Sequence, residues 1–156
     1  RPTPDRVRET LFNWLQPWIA GAHCLDLFAG SGALSWEALS RGAARAVLLD
    51  NDTEALRALR DTQTRLQAAN AEVIAADALR YLSGTPTRFD IVFLDPPFAA
   101  DYWHALVSAL PPWIAPGGFI YIESQRHQVP ALPPQWSLHR SKVAGQVAYQ
   151  LARQSD

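Results

Sequence analysis

Four short apolar runs, each meeting an aspartate at or near its end, constrain this chain more than any other feature of its sequence. Cys24-Leu25-Asp26-Leu27-Phe28 carries its acid inside the run and leads into Ala29-Gly30-Ser31-Gly32. Ala46 to Leu49 ends at Asp50, Val73 to Ala76 at Asp77, and Ile91 to Leu94 at Asp95. Near-continuous apolar runs of this length are the pattern of strands buried on both faces. Helical segments lie between them. One runs from about Ala33 to Arg41, and a short one covers Ala78 to Leu82; a longer one is capped by Asp52, carries Leu56, Leu59 and Leu66 on one face and stops at Asn70. Strand alternating with helix predicts an α/β chain whose parallel sheet is covered on both faces.

The two ends read differently. Thr3-Pro4-Asp5 opens a helix, with Thr3 as N-cap and Pro4 at the first helical position, and Val7, Leu11, Trp14 and Leu15 follow at helical spacing. Arg6 and Arg8 fall off that apolar stripe, where they can reach a ligand or a phosphate. Toward the other end, Tyr102 to Leu110 reads as a helix, Pro116-Gly117-Gly118 as a turn and Phe119 to Glu123 as a fifth strand. After a Pro-rich stretch, Trp136, Leu138 and Arg140 alternate on one side of Gly145, and Val147, Tyr149 and Leu151 on the other, which predicts an antiparallel pair closing one sheet edge.

Length and composition set the outer bounds. At 156 residues and 48% apolar content, the expectation is one domain spanning 1–156. No apolar run approaches the roughly 18–20 residues that cross a bilayer and no signal-peptide pattern opens the chain, so a soluble, cytoplasmic protein is expected. Cys24 is the one cysteine, which excludes an intrachain disulfide, and the four histidines show no ligand spacing, so no metal site is expected. Net charge is −1, yet positive residues cluster at Arg1, Arg6 and Arg8 and again at Arg126, His127, His139, Arg140 and Lys142. The sequence holds no Met and begins at Arg1, so an N-terminal piece is expected to be missing.

In an open parallel sheet, ligands bind beyond the carboxyl ends of the strands, where the four acids fall. Gly30 and Gly32 let a ligand approach the backbone at a helix N-terminus, which suits a carboxylate or phosphate. A dinucleotide fingerprint would want a third glycine at Ser35, so that position disfavours a dehydrogenase. Asp50 follows the loop by roughly 20 residues, the spacing of a ribose-hydroxyl acceptor, and Asp77 can accept from an adenine amine. The ordered set describes S-adenosylmethionine. Asp95-Pro96-Pro97-Phe98 adds a loop rich in acceptors, because neither proline has an N–H, with an aromatic face beside it. Such a loop suits a planar group carrying an NH2. Taken singly, each acid reads equally as a solvated or capping carboxylate, and the Pro-Pro pair as the end of a strand.

These motifs resemble those of class I S-adenosylmethionine-dependent methyltransferases that modify exocyclic amines. More narrowly, the segments from Arg1 to Leu15 and from Lys142 to Tyr149 resemble the bacterial 16S ribosomal RNA guanine-N2 methyltransferases of the RsmD type. The resemblance implies a Rossmann-like fold with a mostly parallel seven-stranded sheet, helices on both faces and an antiparallel C-terminal pair. It implies a cofactor, S-adenosylmethionine, held by Asp26, Phe28, Gly30, Gly32, Asp50, Asn51, Asp77 and Ala78, with Thr3 and Arg8 covering its methionine end. Asp95, Pro96, Pro97 and Phe98 would hold the base, and Arg6, Arg126, Arg140 and Lys142 the RNA backbone. The implied partner is 16S rRNA within the small ribosomal subunit or an assembly intermediate, met by a monomeric enzyme. The resemblance implies a basic segment before Arg1, the piece expected to be missing. Adenine-N6 or protein-amide methylation stays open on the loop chemistry alone, as do a nicotinamide-dependent oxidoreductase and a non-catalytic nucleoside-binding module.

Overall fold

The computed structural model describes residues 3–96 and 100–156. Pro97 and Phe98, expected at the base, lie outside the described residues. Among those described, seven strands form one sheet: β1 (His23–Asp26), β2 (Arg45–Asp50), β3 (Ala71–Ala75), β4 (Phe89–Leu94), β5 (Ile114–Gln125), β6 (Trp136–Ala144) and β7 (Val147–Gln154), in the order β3-β2-β1-β4-β5-β7-β6. β1 to β5 are mutually parallel, while β7 runs antiparallel to both β5 and β6. The chain therefore steps outward one way from β1 to β3 and the other way from β4 to β5. That reversal opens a crevice above the carboxyl ends of β1 and β4.

Helices α1 (Asp5–Leu15), α2 (Ala33–Ser40) and α3 (Thr53–Leu66) cover one face, and α4 (Ala78–Leu82) and α5 (Ala100–Ala109) the other. Val7, Leu11, Phe12 and Leu15 of α1 are fully buried against Phe93, Tyr121, Tyr149 and their neighbours. Each such side chain contributes about 1.5–3 kcal/mol relative to exposure. This packing holds α1 along the sheet from end to end. Its start is tied to Glu123 at the carboxyl edge, and Trp18 beyond its end packs on Phe119, ring centroids 4.6 Å apart, toward the amino edge.

Several local expectations change. Thr3 is not the N-cap: Pro4 occupies that position with extended φ/ψ and no side-chain cap, and the Thr3 hydroxyl instead donates to Glu123 Oε1 at 3.0 Å. α3 is capped by Asp52 as expected, but it ends at Leu66, where left-handed Gln67 (φ 51°) turns the chain before Asn70 is reached. Gln63 holds that turn by donating to the Ala68 and Ala71 carbonyls, which leaves Leu66 52% exposed. Pro116-Gly117-Gly118 is an irregularity inside β5 rather than a turn ahead of it, and a Cβ on Gly118 would stand 2.9 Å from the Ala115 carbonyl. On β6, a register shift between Leu138 and Arg140 breaks the predicted alternation and leaves Leu138 at the surface.

The glycine loop is set by packing as well as by backbone freedom. Gly30 and Gly32 both have positive φ (56° and 79°), but only Gly32 is enclosed: a Cβ there would lie 2.5 Å from Trp36 Nε1 and 2.8 Å from Leu59 Cδ2. Gly32→Ala is expected to cost about 2–4 kcal/mol, strain plus overpacking, and to lower the thermal midpoint by roughly 5–12 °C. Gly30→Ala, with open space at its Cβ, should cost about 1–2 kcal/mol of strain alone. Equal shifts in a thermal melt would contradict the packing role.

Candidate active site

Thr3, Asp26, Phe28, Gly30, Ser31, Asp50 and Asp95 line a cleft of about 300 Å³ above the β1/β4 crevice. A smaller hollow of about 70 Å³, lined by Leu27, Phe28, Asp50, Asn51, Ala76, Asp77 and Ala78, continues it toward β2 and β3. Phe28 and Asp50 border both, so the two hollows are parts of one elongated groove. It runs across the strand ends in the order the sequence suggested: first the glycine loop, then Asp50, then Asp77.

Asp26 is the interior acid, 4% exposed, and Ser35 Oγ donates to its Oδ2 at 2.9 Å. Burial raises its pKa from the ordinary carboxylate value to about 7; the Ser35 and Phe28 hydrogen bonds oppose the shift, and the charges of Asp95 and Asp50 add to it. Ser35 is itself fully buried on α2. The sequence reading used Ser35 only as a missing glycine; its hydroxyl, one α2 turn past the loop, was the available sign of a partner for a buried acid.

The glycine loop is braced from three sides. Asp50 Oδ2 accepts from Gly30 N at 3.0 Å and Oδ1 from Asp52 N at 2.9 Å; Ala29 N donates to the Leu49 carbonyl; Trp36 Nε1 donates to the Ser31 carbonyl. Gly32 N donates to the Ala29 carbonyl. The two glycine amides expected to meet an anion are thus already engaged. The amides that helix geometry leaves without an intrahelical acceptor belong to the first turn of α2, from Ala33 onward. Gly32 does not border the cleft; it lets α2 start close against Trp36 and Leu59.

Asp77 caps α4, its Oδ2 accepting from Arg80 N at 3.2 Å, so one of its oxygens does the capping work and Oδ1 has no hydrogen bond among the described residues. Above it stands Tyr102, from the first turns of α5. Its ring meets Phe28 edge to face at 6.1 Å, and burial, then the Asp77 charge, raises its pKa. Tyr102 is a candidate wall of the nucleoside end that sequence reasoning missed; an aromatic placed just after the Asp95 loop was the signal.

Asp95 directly follows β4 and is exposed in the cleft, and Pro96 is buried. On the neighbouring strand, one step past the Leu94–Ile122 pairing, Glu123 is 3% exposed and accepts from both Thr3 Oγ1 and Tyr121 OH, the latter at 2.7 Å. Thr3 therefore closes the cleft through a buried anchor. Arg8 does not border the cleft: it pairs with Asp5 at 3.1 Å and with Glu37 of α2 at 3.5 Å, and Arg41 pairs with the same Glu37 at 2.7 Å. Cys24 is buried, and its thiol is pushed up to about 12 by burial and by Asp90 and Asp26, which keeps it protonated and inert. Arg6, Arg126, Arg140 and Lys142 are all exposed; Arg126 lies at the β6–β7 turn, where its N–H donates to the Gln146 carbonyl, and Arg140 and Lys142 lie along β6. Among the described residues no helix is long and apolar enough to cross a membrane.

The order of this sheet and the groove across its strand ends are those of the class I methyltransferases. The chain belongs to the family described as Conserved hypothetical protein 95, whose model matches residues 1–153. It is 49% identical to ribosomal RNA small subunit methyltransferase D of Escherichia coli over 154 residues, 97% of this chain and 78% of that protein. It is 41% identical to the Haemophilus influenzae protein of the same name, covering 97% and 81%. Among solved structures, a putative methyltransferase of Escherichia coli superposes with a TM-score of 0.92 at 47% identity, covering 99% of this chain and 88% of that one.

The groove's residues suit S-adenosylmethionine: a buried acid and free helix amides at one end, carboxylates along the middle and an aromatic pair at the other. In the free protein Asp26 carries a penalty. Its folded pKa lies above the unfolded value, so the unfolded chain loses this proton first, and stability drains as pH rises from about 4 to 7, by up to about 4 kcal/mol. Asp26→Asn, which keeps an acceptor for Ser35, is expected to stabilise the free protein by about 1–3 kcal/mol near pH 8 and to give no gain below about pH 4. Denaturant titrations at both pH values check this, and a difference independent of pH would contradict it.

Proposed function

We propose that this chain transfers a methyl group from S-adenosylmethionine to the exocyclic N2 amine of a guanine in 16S rRNA, in the cytoplasm and on the small ribosomal subunit or an assembly intermediate. The observation that carries the reading is that Asp95, Asp26 and the glycine loop border one cleft at the strand-order reversal. The names of the close relatives support ribosomal RNA of the small subunit as the substrate class. The choice of the guanine amine rests on the family resemblance.

When bound, the cofactor supplies an electrophilic methyl on a sulfonium, and the protein's part is to place and polarise the nucleophile. An aryl amine is a poor nucleophile because its lone pair is delocalised into the ring. The Asp95 carboxylate and the Pro96 carbonyl accept its two N–H groups, which localises the lone pair away from them, toward the Asp26 side of the cleft. The nitrogen takes the methyl as the carbon–sulfur bond breaks, leaving a neutral thioether, and sheds one proton, for which Asp95 is the candidate base. Reaching the loop requires the base to leave its stack, at a cost of a few kcal/mol.

The test is transfer of labelled methyl to small-subunit particles from a strain lacking the enzyme, with the product base mapped by mass spectrometry. N2-methylguanine in 16S rRNA is the expected product. Asp95→Ala should reduce the rate by about 10²–10³-fold or more while cofactor affinity changes little. An active Asp95→Ala protein, or label on adenine or protein alone, would overturn the proposal.

A further inference from the structure

At the opposite edge of the sheet, away from the cleft, a second hollow of about 360 Å³ is bordered by Trp18, Asp90, Gly117, Gly118, Phe119 and Arg153. Its chemistry is unlike the rest of the surface. Trp18 is 37% exposed although it packs on Phe119, and the Arg153 guanidinium lies over both rings, 5.6 Å and 4.9 Å from their centroids. Arg153 Nε donates to the Gly117 carbonyl at 2.9 Å, which fixes the plane of the group. Asp156 lies beside Gly117, yet among the described residues Arg153 makes no ion pair.

Alternation from Leu138 puts His139 in this corner, and the register shift on β6 brings Arg140 to the same face. Its ring meets Trp18 at 5.5 Å and Phe119 at 5.4 Å, both edge to face. Burial first, then the charges of Arg140 and Arg153, lower its pKa. Cation–π closure of α1 onto β7 accounts for Arg153. It does not account for Arg140, whose side chain, among the described residues, bonds only its neighbour's carbonyl, nor for the exposed part of the Trp18 indole.

We propose that the corner formed by Trp18, His139, Arg140 and Arg153 is a second RNA contact, seating an unpaired nucleotide of the substrate with its phosphate between the two guanidinium groups and its base against the indole. The inference rests on the RNA reading above. Aromatic faces interleaved with cations are what single-stranded nucleic acid requires, and stacking tolerates any base. A route to the cleft exists. Arg140 and Lys142 pair with Leu151 and Tyr149 and so share the α1 side of the sheet, where Trp14 stacks on Tyr149 at 5.3 Å. From Arg140 to the turn after Ala144 the strand climbs about 13 Å, roughly four nucleotides of stacked single strand, to the carboxyl edge. The register shift that breaks the predicted alternation is thus what brings Arg140 to the face that His139 occupies.

The test uses the whole chain and a fluorescein-labelled single-stranded RNA of about 20 nucleotides, followed by anisotropy over a range of salt, with methyl transfer to small-subunit particles measured in parallel. Arg140→Gln with Arg153→Gln should weaken RNA binding at least tenfold and flatten the log–log salt slope by about 0.7, for the one phosphate held between them. Particle KM should rise while kcat and cofactor affinity hold. In the unsubstituted chain, the His139 ring resonances should move on RNA addition. Should the double variant melt early, Arg140→Gln alone, on an exposed side chain, should still flatten the slope, by less than about 0.7. Unchanged slope and KM, or immobile His139 resonances with RNA bound, would overturn the inference while leaving the function intact. A wild-type chain that methylates no rRNA would instead overturn the function.

Discussion

The carboxyl edge of this protein depends on one buried acid held where the strand order reverses. Asp26 must end β1 inside the crevice because Leu25 and Leu27 on either side of it are committed to the opposite core, and Ser35 reaches it from α2 only because Gly32 lets that helix start so close. Removing a carboxylate from water is costly. The protein carries that cost in its ligand-free form, and the charges of Asp95 and Asp50 increase it. A cation arriving in the cleft relieves all three acids together. The arrangement is therefore unfavourable for stability and favourable for binding a sulfonium that also carries an ammonium.

α1 ties this edge to the rest of the molecule. Its apolar stripe is buried along the sheet, so the helix acts as a rigid strut whose two ends meet different chemistry. At the top, Thr3 reaches Glu123, already held by Tyr121 OH. At the bottom, Trp18 packs on Phe119 beneath Arg153. Glu37 draws Arg8 and Arg41 together and locks the same helix to α2, which begins at the glycine loop. Cofactor cleft and basic corner are thus opposite ends of one packed unit.

Much of this was legible in the sequence, for a physical reason. Strands buried on both faces leave uninterrupted apolar runs, and the acids at their ends fall at one edge of the sheet, so Asp26, Asp50, Asp77 and Asp95 could be placed there with no contact known. The Asp52 cap was readable too, since it involves neighbours in the chain. What was missed depends on partners distant in sequence. Thr3 looks like an N-cap until Glu123, 120 residues on, takes its hydroxyl; Ser35 and Tyr102 acquire meaning only when the groove brings them to Asp26 and Asp77. The glycines were assigned to the ligand, whereas Gly32 serves Trp36 and Leu59, and no periodicity announces a register shift such as the one on β6.

Asp26, its pKa raised by burial to about 7, keeps its proton into the neutral range until a cationic cofactor enters the cleft. Calorimetric binding of S-adenosylmethionine in two buffers of different ionisation enthalpy measures the protons released directly. Release close to one proton per site near pH 6, falling to almost none near pH 8.5, is the predicted result. Binding with no proton release at either pH would contradict it.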